Sequence, residues 1–93
     1  MQSDLDLRRR VLVKLYLRYL VADRAWVMET RAAVTWLPEP PAGKLALIGN
    51  PGSRVRRLYD RREAALERLH VARAKLEAAR RRRASRTVLL IPG

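Results

Sequence analysis

Apolar residues recur at three-four spacing along two separate stretches of this chain, and the two rows complement each other when laid antiparallel. The first row runs through Leu12, Leu15, Tyr19, Ala22, Trp26, Glu29, Ala33 and Trp36. The second runs through Val55, Leu58, Arg62, Ala65, Leu69, Ala72, Leu76 and Ala79. With Trp36 set opposite Val55, large side chains meet small ones almost throughout, as a dense seam between two helices requires. The only charges in the two rows, Glu29 and Arg62, then fall opposite each other. Sliding the alignment one heptad either way sets Glu29 against Val55 or Leu69 and leaves a buried charge without its partner. The expectation is a mainly α fold, an antiparallel two-helix hairpin with a Glu29–Arg62 pair in its seam.

Local chemistry places the element ends. Ser3 can cap a first helix over about residues 3–37, with Asp4 and Asp6 in the opening turn where negative charge complements the macrodipole. Pro38 stops it. Residues 38–53 hold four of the five prolines and three of the four glycines and make a connector, inside which Leu45–Ile48 reads as a short strand. Asn50-Pro51-Gly52 suits a turn with proline at its first corner and glycine at the second, and Ser53 caps a second helix over about 54–84. Residues 87–91, Thr-Val-Leu-Leu-Ile, read as a C-terminal strand. The whole chain of 93 residues makes one domain.

Two features point to homo-oligomerisation. Val13, Leu20, Val27 and Val34, with Leu17 and Val21 nearby, give the first helix a second apolar column that one partner helix cannot cover. The two strands, moreover, lie at opposite ends of the hairpin, roughly 42 Å apart along a helix, whereas seven extended residues reach about 25 Å. Pairing between chains would satisfy them, and an exposed edge left alone would be sticky. A helical hairpin with strands is similar in architecture to the small terminase subunits of tailed phages. That likeness implies an assembly or packaging adaptor, and it rests on architecture alone.

Charge narrows the partner. The formal net charge is +12, from 21 Lys and Arg against 9 Asp and Glu. Residues 54–86 hold thirteen of the basic groups and four of the acidic ones, while the first 36 hold seven and four. One column of the second helix is wholly basic: Arg54, Arg61, Arg68, Lys75 and Arg82 repeat every seven residues, about 10.5 Å apart. Arg57, Arg80 and Arg83 widen it. A solvated helix face would also carry such charge. Arg54, Arg56 and Arg57, however, oppose the macrodipole in the opening turn, and Arg80–Arg83 are four consecutive arginines, so a polyanion or an acidic protein is expected to neutralise them. No helix-turn-helix, zinc-finger or base-stacking pattern is present, so contacts to nucleic acid would be to its backbone.

Chemistry and membranes are poorly supported. There are no cysteines, and no Ser-His-Asp arrangement suggests a nucleophile, so the chain reads as no enzyme with no cofactor. Glu67 and His70 have the Glu-x-x-His spacing of di-iron bundles, but His70 is the only histidine. Gly49–Ser53 lacks the Gly-Lys-Ser/Thr ending of a P-loop. Trp26, Trp36, Tyr16 and Tyr19 sit on apolar faces and suit packing. Val11–Ala22 is the most apolar stretch, but it is too short to span a bilayer and Lys14 and Arg18 interrupt it, so no transmembrane segment and a cytoplasmic location are expected. An anionic membrane surface is a further polyanion, although the apolar seam of the second helix is committed to the first.

Overall fold

A computed structural model describes residues 3–35 and 48–90. They form two helices, α1 over Asp4–Thr35 and α2 over Arg54–Leu90, packed against each other as a hairpin. Both starts follow the expected local chemistry. Ser3 Oγ accepts a hydrogen bond from the Asp6 amide at 3.2 Å, and Asp4 and Asp6 reach Arg8 and Arg9 one turn on, at 2.9 and 3.5 Å. Ser53 Oγ does the same for the Arg56 amide at 3.1 Å. Each serine satisfies an amide that the first helical turn otherwise leaves without a partner.

The turn before α2 is of type II: the Ser53 amide donates to the Asn50 carbonyl at 3.0 Å, and Gly52, at its third position, has φ +82°. Gly49 is also left-handed, at φ +85°, and its surroundings are closed. A Cβ there would lie 2.8 Å from Ser53 Oγ and 2.9 Å from the Arg56 amide nitrogen, the two atoms of the cap. At Gly52 a Cβ would meet nothing within 4 Å. Gly52→Ala is therefore expected to cost about 1 kcal/mol of backbone strain alone. Gly49→Ala should cost about 2 kcal/mol or more, since it also displaces the cap. Urea denaturation of the two variants measures the difference, and equal losses would show that the cap is not disturbed.

The register departs from expectation. Glu29 and Arg62 do not pair: Glu29 meets Arg54 at 3.2 Å, and Arg62 meets Asp23 at 2.6 Å. Trp26 lies against Tyr59 with ring centroids 6.0 Å apart, and Leu5 packs with Leu76 and Ala79. The numbers of these partners add to 81–85, against 91 in the expected alignment, a slip of about one heptad or roughly 10 Å. Both alignments put apolar rows face to face, because a seven-residue slip returns each row to itself. The observed one also buries Leu5. The charges do not exclude it, because partners beside the seam, Asp23 and Arg54, serve in place of those within it. Long arginine side chains reach past the apolar row to find them.

The second correction concerns the C-terminal strand. Of the expected strand 87–91, Thr87–Leu90 continue α2 and Ile91 lies outside the described residues. A short apolar run has no periodicity that separates strand from helix. Between Ser53 and Pro92 there is neither glycine nor proline, so an established helix propagates at little cost through residues of modest β preference. Of the expected connector strand, Leu45–Leu47 lie outside the described residues, and Ile48 is helical. Among the described residues there is no strand, and exchange of the tail strand between chains loses its basis.

The core is small. Leu5, Leu76 and Ala79 are buried, Leu12 packs on them, and Thr30 is buried with its hydroxyl donated to the Trp26 carbonyl at 2.7 Å. Of the second apolar column, Val13 and Leu20 are exposed, as are Leu17 and Val21 beside it, while Val27 and Val34 are half-buried. Tyr16, expected in the core, is half exposed.

Candidate polyanion-binding face

The eight arginines and lysines singled out from the sequence divide into three groups. Arg54 is exposed but engaged across the hairpin by Glu29. Arg57, Arg61, Arg68, Lys75, Arg80 and Arg82 are exposed and, among the described residues, take part in no ion pair. Arg83 lines a hollow of ≈ 400 Å³ with Arg82 and Arg86, beside Ser3 and Asp4 at the start of α1. The heptad repeat fixes their order: Arg61, Arg68, Lys75 and Arg82 follow one flank of α2 for about 31 Å at 1.5 Å per residue. Arg68 and Lys75 also border an open groove of ≈ 570 Å³ floored by Leu7, Val11, Leu15 and Val71.

The opening turn of α2 is less strained than its sequence suggested. Arg54 has Glu29. Arg56 reaches Asp60 at 3.4 Å and donates to the Gly49 carbonyl at 3.4 Å. Ser53 already occupies the Arg56 amide. The groups that would hold an anion at this helix start are thus largely satisfied within the chain, which also removes the basis for reading Gly49–Ser53 as a phosphate loop.

Arg62 is the most elaborately held cation, and sequence reading recognised its seam position without its partners. Its Nε donates to Asp23 at 2.6 Å, Nη1 to Glu63 at 2.7 Å and Nη2 to the Tyr19 hydroxyl at 3.1 Å. The guanidinium carbon lies 5.5 Å from the Tyr19 ring centroid and 5.1 Å from that of Trp26. The hydrogen bond to Asp23 raises its already high pKa against the opposing effect of burial, so the cation persists at every working pH. It is a structural clamp. Three of its donors, one on each nitrogen, are taken up within the chain.

Glu67 and His70 are both exposed on α2, and among the described residues no group of three or more His, Cys, Asp or Glu side chains could hold a metal ion. No described helix is long and apolar enough to cross a membrane. Compared with known families, curated proteins and solved structures, the chain matches none.

Proposed function

We propose that this chain is a non-enzymatic nucleic-acid-binding protein that contacts phosphates through α2. One observation carries the reading: Arg61, Arg68, Lys75 and Arg82 form a straight, exposed column with no ion-pair partners among the described residues, whereas Arg54, Arg56, Arg62 and Arg73 have acidic ones. Asp23, Glu29, Asp60, Glu63 and Glu77 are paired with other arginines, which leaves this flank cationic. Evenly spaced cations on a rod suit the regular charge of a nucleic-acid backbone, and such contacts position a protein without reading bases.

The test is the salt dependence of binding to duplex DNA. Four neutralised phosphates give a slope of log affinity against log salt near −3.6, from about −0.9 per phosphate. Arg61→Gln with Arg68→Gln keeps helix propensity and should flatten the slope by about 1.8 units. The same change at Arg24 and Arg31 on α1 is the control and should matter less. Equal losses from both pairs would mean diffuse charge attraction, and no binding at low salt would sink the reading.

A second reading, an oligomeric assembly adaptor whose basic helix meets acidic protein, is favoured by the apolar side chains that α1 exposes. Absorbance at 260 nm in the purified protein, and retention on heparin beyond that on a simple cation exchanger, separate the two.

A further inference from the structure

Midway along the basic column, the hairpin leaves an open groove between its two helices. Arg68 and Lys75, about 10.5 Å apart along α2, border it, and Leu7, Val11, Leu15 and Val71 form its floor. Three of those floor residues stand well open, Leu7 and Val11 at 50% and Val71 at 46%. On the α1 side, Asp4 is bound by Arg8. The floor is short. One heptad further along α1, the places of Leu7 and Val11 are taken by the exposed Lys14 and Arg18, so the apolar surface runs only from Leu7 to Leu15, about 12 Å. The column is longer: Arg61 precedes the groove, and Arg82 follows it in the next hollow with Arg83 and Arg86.

That difference in length selects the occupant. A docked helix or a second copy of the chain buries about 800 Å² per partner in a specific interface, and two turns of floor that end in cations do not supply it. A single-headed amphiphile fits the floor but leaves Arg61 and Arg82 without an anion. A single-stranded nucleic acid matches both lengths. Its phosphates recur along the whole column, and the interval from Arg68 to Lys75 takes about three nucleotides at ≈ 3.4 Å each. Its unpaired bases bring apolar faces that pack on aliphatic side chains, whereas a duplex keeps its bases stacked inside and offers the groove only phosphates. Glu67, on the α2 side of the groove, is exposed and in no ion pair among the described residues, and it can accept from the amino groups of cytosine or adenine.

We propose that the groove beside Arg68 and Lys75 holds unpaired bases of a single-stranded nucleic acid whose phosphates lie on the α2 column. The column alone would serve duplex and single strand alike; the groove, given the nucleic-acid reading on which this rests, favours the single strand.

The experiment is fluorescence anisotropy of the full chain with one labelled DNA strand, a cytosine-adenine repeat of about 20 nucleotides that spans the column, used alone and annealed to its complement. With four phosphates neutralised, the single strand gives a salt slope near −2.8 against about −3.6 for the duplex, so its advantage grows as salt is added. Val11→Gln with Val71→Gln changes two half-exposed side chains and keeps helix propensity, so circular dichroism should be unaltered. Binding of the single strand should then fall about fivefold, and that of the duplex by less than about twofold. The proposal is overturned if the single strand gains nothing over the duplex at any salt, or if the groove variant weakens both alike or neither. Absence of binding to either form at low salt would instead remove the nucleic-acid reading, and the proposal with it. A doubled mass in light scattering that the groove variant returns to that of one chain, with strand binding unchanged, would assign the groove to a second copy.

Discussion

Leu76→Ala should cost about 3 kcal/mol and unfold a large fraction of the molecules at 37 °C. Leu76 is the most buried of the three side chains at the centre of the core, 3% exposed, and it clusters with Leu5 across the hairpin and with Ala79 on its own helix. Truncating a buried leucine removes its transfer energy and leaves a cavity that rigid neighbours fill poorly, for 2–5 kcal/mol in cores of ordinary density, taken at about the middle of that range here. A two-helix chain has no second layer to share the loss, and its whole stability is on the order of the damage done. Val71→Ala, one turn away but 46% exposed, should cost well under 1 kcal/mol. Urea midpoints of both variants test the pair, and similar losses would mean that burial does not concentrate at Leu76.

Arg62→Ala is the second large effect, a loss of about 2 kcal/mol. The side chain is 21% exposed and bonded to Asp23, Glu63 and the Tyr19 hydroxyl, and two rings lie within cation–π range. Stranding a fully buried partner charge costs 3–5 kcal/mol, and the residual exposure of Asp23 reduces that to about 2. Arg62→Lys should recover little, since an ammonium cannot hold three acceptors in the directions of a planar fork. Asp23→Asn should show coupling to Arg62 in a double-mutant cycle, and Glu29→Gln should not. Arg54→Ala should change stability by no more than about 0.5 kcal/mol, because Arg54 stands 69% exposed beside Glu29. If coupling appears between Glu29 and Arg62 instead, the hairpin is in the other register.

What was legible in the sequence follows the range of the interactions. The Ser3 and Ser53 caps and the Asn50–Ser53 turn depend on residues within four positions of one another, and each formed as expected. The pairing of two helices followed from apolar rows too long to leave in water. Their alignment did not, because a seven-residue repeat is blind to a seven-residue slip and only the flanking groups break the tie. Attention to the charges inside the rows, Glu29 and Arg62, passed over Asp23 and Arg54 just beside them. At the C-terminal end, the aliphatic side chains of Val88–Leu90 were weighed for strand preference without the helix that leads into them. Within the basic face, the column was readable from its spacing. Which of its members the fold had already neutralised was not, since Glu29 reaches Arg54 from 25 positions away in the chain.

The slipped register has a consequence for the far end of α2. With Leu5 beside Ala79, α1 begins about where Ala79 ends, and the helix runs on to Leu90 beyond it. That overhang of about eleven residues, roughly 16 Å, starts with four consecutive arginines, and Arg82, Arg83 and Arg86 lie beside the first described residues, Ser3–Leu5. Isolated helix of this length is marginal in water. Its amide protons should therefore exchange with solvent far sooner than those around Leu76, although both belong to one unbroken helix. Added salt, by quieting the repulsion among those arginines, should slow exchange in the overhang while leaving that around Leu76 unchanged.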